Sequence, residues 1–349
     1  MEDLRGKRVF VGLSGGVDSA VSAALLQQAG ADAIGVFIKG WYPPGMPCTW
    51  SEDRADAMRA AAHLRIPFYT FDASREYKQG VIDYLLREYA AGRTPNPDIM
   101  CNREVKFGAF WRFAKQNGAD FIATGHYAQQ SGGVLSRGVD AAKDQSYFLW
   151  AVPKKAIQDT LFPVGGMPKE RTRELAIQFG IPQAAKRDSQ GICFLGSISV
   201  DDFLRSEIGA TSGMAIDEQG KEVGTHEGAV LATLGERVAI TGTQPGPWYV
   251  VKKDMDTNVL TVSHAPSMAV GATSITIAET NWLQAVAPNE PVVAQYRYHG
   301  PRIAGTLSSD HGVFVPSEKL SEPLAAGQSL VIYRGEELLG GGIIGLSDS

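Results

Sequence analysis

The most informative short segment of the chain is a glycine-rich loop near the amino terminus. It consists of Gly12, Leu13, Ser14, Gly15, Gly16, Val17, Asp18 and Ser19. Adjacent glycines let the backbone turn tightly and bring N–H groups close to a ligand, and a following helix offers its positive end. The segment therefore predicts a site for phosphate oxygens, although it is neither a Walker A loop nor a GxGxxG loop. A carboxylate at Asp18 fits such a site if a Mg²⁺ ion bridges it to the phosphates.

Two of the three cysteines lie among residues that favour a reactive thiolate. Cys101 follows a stiff, proline-containing loop and is predicted at the start of a helix, where the macrodipole and nearby cations lower the pKa of a thiol. Asp98 precedes it by one helical turn and is positioned to exchange a proton. Two adjacent cations precede Cys193, a setting that leaves a reactive role and a packing role equally open. Cys48 has no comparable neighbours, so we expect it to be non-catalytic.

Alternating short apolar runs and longer helical periods surround these residues up to about residue 125. Strands are predicted at 8–13, 33–38, 68–72 and 121–125, and helices at 19–29, 52–64, 75–90 and 101–116. This alternation predicts a doubly wound α/β domain with a parallel sheet, whose ligand lies beyond the carboxyl ends of the strands. Two more helices are predicted at 168–180 and 199–208.

Beyond about residue 210, short β-rich runs are separated by Gly, Pro and Asn, which is typical of small all-β units. We therefore predict three domains: an α/β catalytic domain over 1–208, a small β-rich central domain over 209–272 and a C-terminal β-barrel over 273–349.

Composition and charge limit the class of protein. The net charge is −5, but residues 1–205 carry a balance of +3 and residues 206–349 a balance of −8. Such asymmetry allows a basic face on the first part, while ordinary solvated surfaces explain it as well. No apolar run is long enough to cross a bilayer, and no signal peptide is evident, so we expect a cytoplasmic protein. The absence of a CxxC pair argues against a structural zinc site.

Six motifs occur in an order that resembles the bacterial tRNA-specific 2-thiouridylase family, and the first resembles the pyrophosphate loop (PP-loop) of N-type ATP pyrophosphatases. The motifs are SGGVDS, GRTPNPDIMCNREVKF, ATGHYA, KDQSYFLW, FPVGG and KRDSQGICFLG. They cover roughly the first 200 residues, and the β-rich remainder fits the family more loosely.

The resemblance implies a role for particular residues. ATP would be held by the loop 12–19 together with Ile38 and Gly125. The target base would meet Asn96, Pro97 and Asp98, with Cys101 as nucleophile and Cys193 as the persulfide-bearing residue. The tRNA contacts would come from His126, Lys143, Asp144, Gln145, Arg297, Tyr298 and Gln328. A packing role for His126 and a solvated strand face for Arg297 and Tyr298 remain open.

The implied reaction adenylates the C2 oxygen of the wobble uridine (position 34) with ATP and Mg²⁺ and then replaces that oxygen by sulfur. The implied partners are the tRNAs for lysine, glutamate and glutamine and a persulfide sulfur-relay protein or cysteine desulfurase, with the enzyme itself a monomer. Three other functions stay open: an ATP pyrophosphatase acting on a small molecule, a non-catalytic nucleotide sensor, and an iron–sulfur thiolase with Cys101, Cys193 and Asp98 as cluster ligands.

The chain departs from the family in its central domain. The family usually has Gly-Gln-Arg where this chain has Gly235-Glu236-Arg237. A carboxylate in place of a neutral amide repels phosphate, which puts tRNA contacts by the central domain in doubt.

Overall fold

A computed structural model describes residues 3–43, 50–187, 199–242, 245–265, 273–320 and 324–345. Its first sheet has five parallel strands in the order β3-β2-β1-β4-β7. The strands are β1 (Arg8–Gly12), β2 (Asp32–Lys39), β3 (Phe68–Asp72), β4 (Phe121–Ala123) and β7 (Thr160–Leu161). The parallel sheet predicted from the sequence is confirmed, because each predicted strand recurs within a few residues of its expected limits.

Helices pack on both faces of this sheet. They are α1 (Val17–Gln28), α2 (Trp50–Leu64), α3 (74–90), α4 (97–116), α5 (Lys154–Gln158), α6 (Lys169–Gln178) and α7 (Val200–Glu207). Successive side chains of β1 point to opposite faces, so Val9 and Val11 join the core under α1 and α2, while Phe10 joins the core under α3 and α4. The α/β domain is therefore doubly wound.

Helices α3 and α4 are each continuous but change their hydrogen-bonding period. α3 is α-helical over Ser74–Tyr77, π-helical over Lys78–Ile82 and α-helical again over Asp83–Ala90. α4 is α-helical over Pro97–Met100, π-helical over Cys101–Ala109 and α-helical over Phe110–Gln116. π-helical turns are rare and often lie at functional sites, so this helix pair is where a site is expected.

The second sheet belongs to the central part of the chain and has the order β10-β11-β12-β8-β9. Its strands are β8 (Gly213–Ile216), β9 (Glu222–His226), β10 (Arg237–Val238), β11 (Trp248–Asp254) and β12 (Val259–Ser263). Only the β12–β8 pair is parallel; the other neighbours in the sheet are antiparallel. The β-rich central unit predicted from the sequence is thus present.

The third sheet closes into a six-stranded antiparallel barrel, because β13 pairs with both β16 and β18. Its strands are β13 (Ile275–Trp282), β14 (Val292–Gln295), β15 (Arg302–Leu307), β16 (Val313–Pro316), β17 (Ser329–Arg334) and β18 (Glu337–Ile344). The predicted C-terminal β-barrel is confirmed. The predicted domain limits of 208, 272 and 349 stay predictions.

A hairpin of the first domain extends the barrel sheet. It consists of β5 (Ala128–Ser131) and β6 (Val134–Arg137), and Ser136 of β6 pairs with Glu337 of β18. This hairpin is not among the elements predicted from the sequence. It joins the catalytic domain to the barrel through a shared sheet, so the two are packed together rather than linked only by the chain.

Candidate active site

The phosphate loop (12–19) leaves the carboxyl end of β1 and enters α1. Its backbone is fixed at the start by Leu13, whose N–H donates to the carbonyl of Val36 at 2.8 Å. Gly15 has φ of +79°, and a Cβ at this residue would lie 2.4 Å from the carbonyl oxygen of Asp53. Only glycine fits this position without strain, because both the left-handed conformation and the close approach exclude a side chain.

Hydroxyl groups line the same turn. The Oγ of Ser19 accepts from the N–H of Ser14 and donates to the carbonyl of Gly16, both at 3.2 Å. Gly16 is the N-cap residue of α1, and as a glycine it supplies no side-chain hydrogen bond to this helix end. The first N–H groups of α1 therefore remain directed towards the loop, which is the arrangement that binds phosphate oxygens.

The carboxylate of Asp18 has a structural partner that the sequence analysis missed. Both of its oxygens accept from the ammonium of Lys169, at 2.7 and 2.8 Å, and one also accepts from the hydroxyl of Tyr127 at 2.9 Å. Lys169 is buried and lies in the first turn of α6. The ion pair with Lys169 therefore explains why an acidic residue lies in this anion site. A role for Asp18 as a Mg²⁺ ligand is not needed to explain its presence.

A second lysine contacts the outside of the phosphate loop. The ammonium of Lys186 donates to the carbonyl of Gly15 at 3.2 Å and to the carboxylates of Asp53 and Asp56 at 2.9 and 2.7 Å. Burial opposes the charge of Lys186, but hydrogen bonds to Asp56 and Asp53 outweigh it and raise its pKa above the ordinary value. Lys186 begins the motif that contains Cys193, so one end of that motif is attached to the phosphate loop.

The residues predicted to line the nucleotide pocket lie beside the loop. A Cβ on Gly125 would lie 2.7 Å from the backbone nitrogen of Ser19, and one on Gly12 would lie 3.9 Å from the Cδ1 of Ile38. All three positions are at or just beyond the carboxyl ends of β4, β1 and β2. Their place at the sheet edge is the one that parallel α/β domains use for ligands, and their role in binding ATP stays a prediction.

The proline-containing loop before α4 is shaped by its own side chains. Asn96 caps α4, since its Oδ1 accepts from the N–H groups of Asp98 and Ile99 at 3.1 and 3.3 Å. Pro97 occupies the first helical position, where its missing N–H costs nothing. Asp98 is half-buried in the first turn. The three residues predicted to meet the target base therefore form one rigid helix start.

Thr94, two residues before Asn96, contacts both the barrel and the central domain. Its N–H donates to the carbonyl of Ala326 at 2.8 Å, and its carbonyl accepts from the Nε2 of Gln328 at 2.7 Å. Its hydroxyl lies 3.4 Å from that of Thr233 in the central domain. The side-chain amide of Gln328, predicted as a tRNA contact, is thus already bonded within the protein, and three parts of the chain meet at this loop.

Cys101 lies deeper than the sequence indicates. The helix begins at Pro97, so Cys101 is in its second turn, and its side chain is fully buried in the core that α3 and α4 share with the sheet. The expectation of a thiol at a helix start is therefore wrong, because the capping residue is Asn96. Cys193 and Cys48 lie outside the described residues, and their roles stay predictions.

His126 is a packing residue in this structure. It is 9% exposed, and its ring lies 5.5 Å from that of Phe107 and 6.3 Å from that of Phe162. Its Nδ1 is 2.8 Å from the hydroxyl of Thr124. Burial, helped by the charge of Lys106, lowers the pKa of His126 well below its ordinary value. A neutral, enclosed ring favours the packing role that the sequence left open.

The residues 143–145 are divided between surface and interior. Asp144 is buried and accepts from the guanidinium of Arg137 at 3.1 Å and from the N–H of Ser146 at 3.0 Å. The Oε1 of Gln145 accepts from the N–H of Tyr127 at 3.0 Å, and Lys143 is half-buried. The polar groups of Asp144 and Gln145 are thus used inside the protein, which favours a structural role for both.

The barrel residues predicted to touch tRNA lie against the same part of the catalytic domain. The ring of Tyr298 is 37% exposed and lies 4.5 Å from that of Phe148. A cavity of about 170 Å³ is lined by residues of both domains, among them Arg137, Asp144 and Tyr298. Arg297 is half-buried next to Tyr298. The structure therefore brings these positions together, and their contact with tRNA stays a prediction.

The described residues contain no group of three His, Cys, Asp or Glu side chains that could hold a metal ion. Asp18, the residue predicted to bridge to Mg²⁺, accepts from Lys169 with both carboxylate oxygens. None of the helices within the described residues has the length and apolar character required to span a bilayer.

Three family profiles match the chain. They are a tRNA methyl transferase HUP domain over residues 7–197, a tRNA methyl transferase PRC-barrel domain over 201–264 and an aminomethyltransferase beta-barrel domain over 272–344.

Curated relatives match over nearly the full length. The chain is 40% identical to the tRNA-specific 2-thiouridylase MnmA of Hahella chejuensis over 362 residues, which cover 99% of each chain. It is 41% identical to the MnmA of Lacticaseibacillus paracasei over 354 residues, 97% of this chain and 94% of the relative. Among solved structures, the U34-tRNA thiolase NcsA from Methanococcus maripaludis has a TM-score of 0.36 and 16% identity over 52% of this chain and 58% of that chain. Nothing about function follows from a likeness at that level.

Proposed function

This chain belongs to the tRNA-specific 2-thiouridylase family, and we propose that it replaces the C2 oxygen of the wobble uridine of tRNA by sulfur in a reaction that consumes ATP. The observation that carries the proposal is 40% identity to a 2-thiouridylase over 99% of both chains. An ATP pyrophosphatase acting on a small molecule is not favoured. The relatives named tRNA-specific 2-thiouridylases match this chain through its central domain and its barrel as well as through its first domain.

ATP is proposed to bind with its phosphates on the loop 12–19 and its nucleoside part towards Ile38 and Gly125. The C2 oxygen of uridine attacks the α-phosphorus, the bond to pyrophosphate breaks, and the base is left as an O2-adenylate. The N–H groups at the start of α1 stabilise the negative charge that develops on the leaving pyrophosphate. Mg²⁺ bound to the nucleotide would supply further charge neutralisation.

Sulfur is proposed to arrive as a persulfide on Cys193, loaded by a sulfur-relay protein or a cysteine desulfurase. The thiolate of Cys101 attacks the Sγ of Cys193, which forms a Cys101–Cys193 disulfide and releases hydrosulfide. Hydrosulfide adds to C2, and the C2–O bond to AMP breaks. Asp98, one turn before Cys101, takes the thiol proton. A thiol reductant then returns the disulfide to two thiols.

A direct route uses the same groups. The terminal persulfide sulfur attacks C2 and expels AMP, and Cys101 then attacks the remaining sulfur–sulfur bond, so that the same disulfide forms. In both routes Cys101 must react, although it is fully buried in the structure. We therefore expect tRNA binding to open the packing around α4 and to bring the base, turned out of the anticodon stack, to the helix start at Asn96.

The remaining assignments concern partners. We propose the tRNAs for lysine, glutamate and glutamine as substrates, a cytoplasmic location and a monomeric enzyme. Lys143, Arg297 and Tyr298 have exposed or half-buried side chains, and we propose them as tRNA contacts outside the base site.

The test is mass spectrometry of nucleosides from tRNA that has been incubated with the protein, ATP and a sulfur source. Wild type and Cys48→Ser are expected to form 2-thiouridine, whereas Cys101→Ser and Cys193→Ser are expected to form none. Wild-type protein that binds ATP but yields neither 2-thiouridine nor pyrophosphate would identify a nucleotide sensor instead. An iron–sulfur absorbance band in anaerobically purified protein would replace the persulfide route by cluster chemistry.

A further inference from the structure

A groove runs along the outer side of the helix pair α3 and α4, away from the phosphate loop. It encloses about 520 Å³ and is open to solvent. Its lining residues are Arg75, Glu76, Gln79, Gly80, Tyr84, Arg87, Arg103, Glu104 and Arg112. We call it the α3–α4 groove. The proposed mechanism uses none of these residues, although Arg103 and Glu104 belong to the motif that contains Cys101.

The groove depends on a close approach of the two helices at their π-helical turns. A Cβ on Gly80 of α3 would lie 2.7 Å from the Cγ of Glu104 on α4, so a larger residue there would force the helices apart. Gly80 lies within the π-helical turn of α3, and Glu104 lies within that of α4. The floor of the groove is therefore tightly packed, and its walls are long polar side chains.

The charge of the groove is positive although the whole chain is acidic. Its four arginines and two glutamates give a formal balance of +2, whereas the chain carries −5. Two arginines are paired with the glutamate next to them in sequence, Arg75 with Glu76 at 2.9 Å and Arg103 with Glu104 at 2.7 Å. Arg87 and Arg112 are exposed; outside the lining, Glu88 lies 3.6 Å from Arg87 and Glu279 lies 3.9 Å from Arg103. An anionic ligand would balance the formal charge of the lining.

A buried donor lies in the same lining. Tyr84 is 5% exposed, and its hydroxyl has no hydrogen-bond partner among the described residues. Burial, with the charges of Glu88 and Glu279, raises the pKa of Tyr84 to about 12, so the hydroxyl keeps its proton. Leaving such a group unsatisfied is costly, and phosphate oxygens are acceptors that satisfy it.

The groove starts next to the proposed base site. The loop that ends in Asn96 joins α3 to α4, and Arg103 follows Asp98 by five residues, about 8 Å along the helix. From Arg103 to Arg112 the helix covers roughly 13 Å. A nucleic-acid strand carries one phosphate per about 3.4 Å of helix axis, so this length accommodates several phosphates in succession. Arginine is suited to them because its planar fork matches phosphate geometry.

We propose that the α3–α4 groove binds backbone phosphates of the tRNA next to the modified nucleotide, through Arg87, Arg103 and Arg112 and the hydroxyl of Tyr84. The inference rests on the proposed function, since it assumes a tRNA substrate. It adds a second contact surface to that function, which anchors the RNA strand while the base enters at the start of α4.

The test compares Arg87→Ala/Arg112→Ala with the matched control Arg171→Ala/Arg205→Ala, which removes two exposed arginines that pair with glutamates elsewhere. The groove variant is expected to raise the KM for tRNA by roughly tenfold or more with the KM for ATP unchanged. The slope of log tRNA affinity against log salt concentration should become less steep, by an amount that corresponds to about two lost phosphate contacts. The control variant should match wild type in all three measurements.

Tyr84→Phe separates a phosphate contact from a structural role. Removal of an unsatisfied buried hydroxyl should leave the melting temperature unchanged or slightly higher, while the KM for tRNA rises several-fold. An unchanged KM would exclude the hydroxyl from the contact.

Equal tRNA KM and salt dependence for the groove and control variants would overturn the proposal. A groove variant with normal tRNA KM but slower sulfur uptake from a relay protein would overturn it too, and would assign the groove to an acidic protein. A wild-type protein that forms no 2-thiouridine would instead refute the proposed function, so the two failures are distinguishable.

Discussion

The ion pair between Asp18 and Lys169 allows a quantitative prediction about the phosphate loop. Lys169→Met keeps the aliphatic length of the side chain but removes the ammonium that donates to both oxygens of Asp18 at 2.7 and 2.8 Å. At an effective dielectric constant of about 20, two charges about 3 Å apart attract by roughly 5–6 kcal/mol before desolvation is counted. Without the ammonium of Lys169, the negative charge of Asp18 is therefore left without its cationic partner.

The expected cost is smaller than this attraction. Loss of one partner of a fully buried pair costs about 3–5 kcal/mol. Asp18 is 29% exposed and keeps its hydrogen bond from Tyr127, so about 2–3 kcal/mol is expected for Lys169→Met. For a folding unit of 150–250 residues this corresponds to a melting temperature lower by roughly 4–12 °C.

Differential scanning calorimetry of four proteins measures this coupling: wild type, Asp18→Asn, Lys169→Met and the double variant. Because Asp18→Asn removes the uncompensated charge, the double variant should be more stable than Lys169→Met alone. Strictly additive effects of the two substitutions, or an unchanged melting temperature in Lys169→Met, would refute the structural role assigned to the pair. Arg171→Ala on the exposed side of the same helix is the control, and its free energy of unfolding should stay within about 0.5 kcal/mol of that of wild type.

Three further predictions concern the base site and its surroundings. Gln328→Ala removes the hydrogen bond to the carbonyl of Thr94, and we expect kcat for thiolation to fall by roughly tenfold with the KM for ATP unchanged, measured by nucleoside mass spectrometry. Cys101 is fully buried, so iodoacetamide should label it slowly in the free protein and faster with tRNA and ATP, followed by peptide mass spectrometry. The folded-state pKa of His126 is depressed, so the unfolded chain binds an extra proton below about pH 6.5 and stability falls as the pH falls through that range. When the pH is lowered from 7.5 to 5.5, the melting temperature of His126→Asn should fall by less than that of wild type.

Local sequence patterns predicted the helices and strands of the catalytic domain because these elements depend on residues that are close together in the sequence. The short apolar run at 8–13 predicted β1. Ser199 was predicted as the N-cap of α7, and its hydroxyl accepts from the N–H of Asp202 at 3.0 Å. The start of α4 was placed four residues too late. Two prolines around Asn96 suggested a loop, whereas a capping asparagine followed by proline at the first position is a favourable helix start.

Contacts between distant residues were beyond the sequence. Lys169 follows Asp18 by 151 residues, and Gln328 follows Thr94 by 234 residues, so neither pairing has a local signature. The burial of Cys101 likewise depends on how α3 packs against α4, which the polar composition of the preceding loop does not reveal. Motif spacing located the site, and only the fold showed which polar groups are already bonded within the protein.

The central claim is that Cys101 and Cys193 meet during sulfur transfer to an adenylated base. A single turnover of persulfide-loaded enzyme with tRNA and ATP, without reductant, followed by mass spectrometry of peptides and nucleosides, tests it directly. We predict one Cys101–Cys193 disulfide for each 2-thiouridine formed. Accumulation of 2-thiouridine while peptides containing residue 101 remain in the thiol form would contradict the claim.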